Sequence, residues 1–311
     1  MTSNLRRLYV VVGLIGSVGV LATRAQEAPN QPVQSFRSAV DVVTIQASVR
    51  DARGHVVSGL TTGDFEVRDN GQVRPILSLR SDRQSPLSLA ILVDMSGSMR
   101  MGAKVAMARQ AYDSILSQLR QGQDEVSLFT FDASLHERQG FTRDLDKLKD
   151  ALTDFQPFGT TSLFDATGAA ARKLAARSAT HKAIIVLTDG IDTSSSLTAS
   201  EVSGLASSID VPVYIVATVP SLDQRLMIER ADRLSDGAAD LRDLAEWTGG
   251  RLIFASSFGE STTVAARLVT ELRQQYVLAI EAAGAREWRR LDVRVRQPSA
   301  TVKARSGYFG G

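Results

Sequence analysis

The chain has 311 residues, 43% of them hydrophobic, with 36 basic against 34 acidic side chains and no cysteine. That length buries a core without covalent staples, and the missing cysteines exclude disulfides and a lipid-modified cysteine anchor. Arg6, Arg7 and Arg24 all lie in the first 25 residues, which hold no acid. The rest of the chain is therefore close to neutral and offers no electrostatic footprint for nucleic acid.

The N-terminus combines two arginines, an apolar stretch from Leu8 to Ala22 and the small residue Ala25. This is the three-part pattern of a secretory signal peptide over residues 1–25, and it predicts export to the periplasm, the cell surface or the medium. An uncleaved anchor is the alternative, but the stretch is short for a span. No later stretch is long enough to cross a membrane, so the mature chain is expected to carry no span. Residues 26–39 include "QEAPNQPVQSF" and read as a linker.

Residues 40–85 alternate apolar and polar in "VDVVTIQASV" and "FEVRDNGQVRPILSL". They predict three or four strands, with Asn70-Gly71 as a two-residue hairpin turn. From 86 to 275 the period switches repeatedly. The strands expected are "LAILVD", "EVSLFTFD", "KAIIVLTD", "PVYIVATV" and "RLIFAS". Between them lie the helical patterns "AKVAMARQAYDSILSQL", "DLDKLKDAL", "LFDATGAAARKLAAR", "ASEVSGLASSI", "AADLRDLAEWT" and "STTVAARLVTELRQQ". Such alternation predicts an α/β fold, a doubly wound and mostly parallel sheet with helices on both faces. "SLDQRLMIERADRLSDG" is long for a connection and reads as an exposed excursion. Residues 276–311 return to alternation, and the two β-rich flanks are expected to pair into one β-sandwich with the α/β unit inserted between them. The sequence leaves the oligomeric state open.

Asp94 closes the first central strand, with Ser96 and Ser98 just beyond it, and Asp189 closes another in "IIVLTDG". Ligands of open parallel sheets bind outside the carboxyl ends of the strands. "PFGTTSLFDA" adds Thr160 and Thr161 before a predicted helix. Alone, "DMSGSM" is compatible with a metal ion, a phosphate, a nucleophile or a turn. Carboxylate and hydroxyl oxygens from three loops suit a small hard cation, which takes about six oxygens and keeps several waters. Neutral hydroxyls compensate its charge poorly, so an open position would attract an outside carboxylate.

"DMSGSM" with "GTTSLFDA" and "LTDG" resembles the metal-ion-dependent adhesion site of von Willebrand factor type A domains, over roughly Pro86 to Gln275. The resemblance implies a Rossmann-like fold and a divalent cation, magnesium or else calcium or manganese. By position it makes Ser96 and Ser98 direct ligands, Asp94 a ligand or water-bridging carboxylate, and Asp189 a ligand directly or through water. Thr161 is the loop threonine, because Gly159-Thr160-Thr161-x-Leu163 aligns with the family's G-G-T-x-L and Thr160 stands where a second glycine is usual. The flanks look like those of a subgroup of exported bacterial proteins. The function implied is a non-enzymatic, adhesion-type module that engages an acidic residue of a partner protein. A cell-envelope scaffold or maturation factor is the alternative.

A metal-dependent hydrolase is the less favoured reading. Aspartate-dependent phosphoryl transfer places a second acid where this chain has Ser96. A serine hydrolase needs a base, and no motif positions His55, His136 or His181. His181 reads as a surface residue. Asp165 reads as a helix N-terminal acid. "REWRRLDVRVR" reads as the solvated face of a strand, and Trp247 and Trp288 as packing residues.

Overall fold

The structure is a computed structural model that describes residues 42–81, 83–152, 156–179, 181–190, 192–219, 237–284 and 286–310. The leader, the linker and most of the 221–237 excursion lie outside the described residues. Four strands come first: β1 (Val42–Arg50), β2 (Phe65–Asp69), β3 (Gln72–Arg74) and β4 (Ile76–Arg80). Asn70 and Gly71 both have positive φ, 47° and 82°, as the tight hairpin between β2 and β3 requires. Proline has no N–H to give to a ladder. The chain accordingly changes sheets at Pro75, and β4 pairs with a late strand instead of continuing the hairpin.

The α/β unit follows: β5 (Leu87–Asp94), α1 (Lys104–Ser117), β6 (Glu125–Phe131), β7 (Leu135–Thr142), α2 (Leu163–Ala175), β8 (His181–Thr188), α3 (Ala199–Ser208), β9 (Val213–Thr218), α4 (Gly237–Trp247), β10 (Arg251–Ala255) and α5 (Phe258–Arg273). Its sheet runs β10-β9-β8-β5-β6-β7, parallel except for the antiparallel edge strand β7. Every residue of β5 is buried, as a central strand covered on both faces demands. Leu89, Ile91 and Val93 pack under α1 and α5, while Ala90 and Leu92 pack under α2, α3 and α4. Each leucine, isoleucine or valine among them contributes about 1.5–3 kcal/mol when fully buried. Of the helices predicted, "DLDKLKDAL" is reduced to a single 3-10 turn, Leu145–Leu148, which buries only its two leucines.

The last strands are β11 (Tyr276–Glu281), β12 (Trp288–Val295), β13 (Thr301–Ala304) and β14 (Gly307–Phe309). They interleave with the first four into two antiparallel sheets, β13-β1-β11-β4 and β14-β12-β2-β3. Ile45, Ala47, Phe65, Val67, Tyr276, Leu278, Leu291 and Tyr308 form one core between those sheets. Phe65 meets Tyr276 edge to face at 5.3 Å. The sandwich abuts the amino ends of the parallel strands. The backbone N–H of Gln46 donates to Asp210 before β9. Glu271 of α5 pairs with Arg50 of β1 and Arg251 of β10 and accepts the Ser48 hydroxyl at 2.9 Å.

Two residues depart from their sequence reading. His181 is buried at the amino end of β8, 2% exposed, because the sandwich side of the sheet is covered. Arg289 is not on a solvated face. It turns into the sandwich, 8% exposed, where it donates to Asp69 Oδ1 at 2.8 Å.

Candidate metal centre

In strand order the connection from β5 leads to β6 on one side, and β8 lies on the other. The crevice between β5 and β8 is thus the topological switch point, where open sheets bind ligands. Asp94 ends β5 and Asp189 immediately follows β8, so both carboxylates arrive at that crevice.

Asp94 is fully buried, and Asp189 is 5% exposed. Asp94 accepts the backbone N–H of Ser96 at 2.8 Å and the hydroxyl of Thr188. Burial pushes its carboxyl up to about 6; the hydrogen bonds from Ser96 and Thr188 oppose that rise, and the nearby charge of Asp189 adds to it. The Ser96 and Ser98 hydroxyl oxygens are 3.1 Å apart, and Ser98 donates to Asp189 Oδ1 at 2.9 Å. An octahedral shell with bonds of about 2.1 Å has neighbouring oxygens about 3.0 Å apart. Both separations match neighbouring positions of that shell, and these hydrogen bonds can be exchanged for ligation.

The threonine loop is tied to the serine loop by backbone bonds. Phe158 N–H donates to Met95 carbonyl at 2.7 Å, and Gly97 N–H to Gly159 carbonyl at 2.9 Å. Thr161 is 5% exposed. Its N–H donates to the Thr193 hydroxyl, and its carbonyl accepts from the backbone of Thr193 and Ser194. Thr160 is exposed, and its hydroxyl accepts from Ser194 at 2.9 Å. The structure therefore links Asp94, Ser96, Ser98 and Asp189 in one hydrogen-bonded set. It brings Thr161 to the same edge without a hydrogen bond to any of those four.

Several residues around the site were not anticipated. Lys104, in the first turn of α1, is buried and donates to Asp189 Oδ2 at 2.6 Å. A signal for it existed: Lys104 shares the helix stripe of Ala108, Ala111 and Ile115, where a core residue is expected. Asp192 accepts the Phe164 N–H at the start of α2. Asp165 lies in the first turn of α2 and also takes the N–H groups of Ser196 and Leu197, which ties the neighbouring loop to that helix end.

The match to known families coincides with this edge. Residues 89–201 match the von Willebrand factor type A domain. The chain carries a von Willebrand factor type A domain. Among solved structures it is similar to a von Willebrand factor type A protein from Catenulispora acidiphila, at 12% identity over 86% of this chain and 73% of that one, with a TM-score of 0.51. It is also similar to proximal thread matrix protein 1 from mussel byssus, with a zinc-occupied adhesion-site motif (15% identity, 66% of this chain and 49% of that one, TM-score 0.51). A third is BatB from Bacteroides thetaiotaomicron, at 16% identity over 60% of this chain and 98% of that one, with a TM-score of 0.47. These likenesses concern the fold. A comparison with curated proteins finds no match.

Proposed function

We propose that Asp94, Ser96, Ser98, Thr161 and Asp189 of this von Willebrand factor type A domain hold a divalent cation, magnesium or else calcium or manganese, through which an exported binding protein engages a carboxylate of a partner protein. The observation that carries the reading is the run of Ser96, Ser98 and Asp189 oxygens at 3.1 and 2.9 Å, at the spacing of an octahedral shell. Bound there, the cation supplies an electrophilic open position for an outside carboxylate. Ser96 and Ser98 offer hydroxyl oxygens, Asp94 a buried carboxylate, and Thr161 a hydroxyl with no hydrogen-bond partner among the described residues.

The rim supports a protein as the ligand. Phe158 and Met101 are 74% and 66% exposed, the most exposed large apolar residues described, and they flank the two loops of the site. Apolar side chains around a polar centre are the anatomy of a protein interface. Among the described residues, the hydrogen-bonded hydroxyls at this edge pair with carboxylates, other hydroxyls or backbone groups and none with a histidine base, which favours binding over hydrolysis. Residues 1–25 serve as the export signal, residues 26–39 as the linker, and 86–275 as the binding domain gripped by the flanks 40–85 and 276–311.

The test is affinity capture from the cell envelope, with and without chelator, for the wild type and Asp94→Ala. Capture that depends on both metal and Asp94 supports the reading. Identical capture in all four arms refutes it, and points instead to a scaffold indifferent to metal.

A further inference from the structure

Lys104 contributes a charge to the site that the motif does not contain. Its side chain is 11% exposed, and its ammonium lies 2.6 Å from Asp189 Oδ2, while the other oxygen of that carboxylate takes the Ser98 hydroxyl. A buried ammonium needs a partner, since taking an ion out of water costs several kcal/mol. Asp189 is its only ion-pair partner among the described residues. The apolar stripe below, Ala108, Ala111 and Ile115, gives the ammonium no alternative.

Resting on the metal reading above, we propose that Lys104 is a built-in counter-cation of Asp189 that weakens the site's hold on a divalent ion and leaves the loaded site with a net positive charge for an external carboxylate. With no metal, the ammonium compensates one of the two buried carboxylates, that of Asp189. With a divalent ion, two carboxylates and one ammonium leave one positive charge, whereas the same set lacking the lysine is neutral. The approach of an anionic partner side chain to the exposed Ser98 side of the site is then favoured by that charge. Lys104 is a positioning and charge-setting residue, not a ligand: it faces Oδ2, while the serine hydroxyls gather on the side of Oδ1.

An orienting partner of a metal ligand behaves in the opposite way, because its removal costs about 10–100-fold in metal affinity. The experiment therefore turns on a sign. Manganese binding to the full chain is measured by electron paramagnetic resonance for the wild type, Lys104→Met, Lys104→Gln and Lys104→Arg. Acetate is then titrated into each manganese-loaded protein. The neutral variants are expected to bind manganese at least about tenfold more tightly and to bind acetate more weakly when loaded; Lys104→Arg stays near the wild type. Lys104→Gln keeps a donor for Asp189, so it serves if Lys104→Met does not fold. Equal or weaker manganese affinity in a folded neutral variant overturns the role of Lys104 and leaves the metal reading standing. No manganese binding by any of the four folded proteins overturns the metal reading, and this inference with it.

Discussion

Gly97 N–H donates to the carbonyl of Gly159 over 2.9 Å, joining the serine loop to the threonine loop beside the Phe158–Met95 bond. A β-carbon built on Gly97 would stand 3.3 Å from that same carbonyl oxygen, tighter than ordinary contact. Gly97→Ala is expected to push the loops apart and to cut manganese affinity by about tenfold or more, with little change in the far-ultraviolet circular dichroism. Unchanged affinity would detach Thr161 from the site.

The carboxyl of Asp94 sits at about 6 against an ordinary value of 3.8. A raised carboxyl favours folding when protonated, so this contribution is fully present below about pH 4 and is lost as pH rises through 6. Metal-free wild type should therefore lose thermal stability relative to Asp94→Asn between pH 4.5 and 7. Magnesium or manganese should reverse the loss at pH 7 in the wild type alone. Parallel melting profiles for the two proteins would contradict this.

Phe158 and Met101 separate metal from partner. Replacing either with serine should leave manganese affinity within about twofold while weakening partner capture by about tenfold, the loss expected for an exposed anchor at an interface. Titration calorimetry of the metal and capture of the partner read the two effects independently.

Glu271 is 1% exposed and ties α5 to β1 and β10 through Arg50, Arg251 and Ser48. Glu271→Ala takes the carboxylate from Arg50 and Arg251 and the acceptor from Ser48. It is expected to cost about 3–5 kcal/mol, read as a lower urea midpoint with the metal affinity of the folded fraction retained. A midpoint equal to the wild type would show that the Glu271 bonds do not hold the sandwich to the α/β unit.

The strands and most helices were legible because each has a period: the continuous apolar runs of β5 and β8, and the stripe of α2, are local signals. The motif "DMSGSM" and the strand end at Asp189 are enough by themselves to place both carboxylates at one sheet edge. What was not legible depends on pairing across the chain. "DLDKLKDAL" has a helical pattern but closes only one turn, since tertiary context overrides a weak local preference. His181 and Arg289 read as surface residues because nothing local records what covers them. Lys104 was hidden differently: the helix pattern absorbed it, and only Asp189, far along the chain, explains a charge on the core stripe.

β1 lies between β13 and β11, antiparallel to both, and the chain that precedes it enters at Val42. Tension applied along β1 runs perpendicular to its ladder bonds, which then resist together rather than opening one at a time. The sandwich grips the amino ends of the parallel strands, while the candidate metal edge is at their carboxyl ends. If the protein is tethered through its N-terminal segment and held by a partner at the metal edge, the load runs through the α/β sheet along the full length of its strands. The fold is then a mechanical link, with its grip at one pole and its clasp at the other.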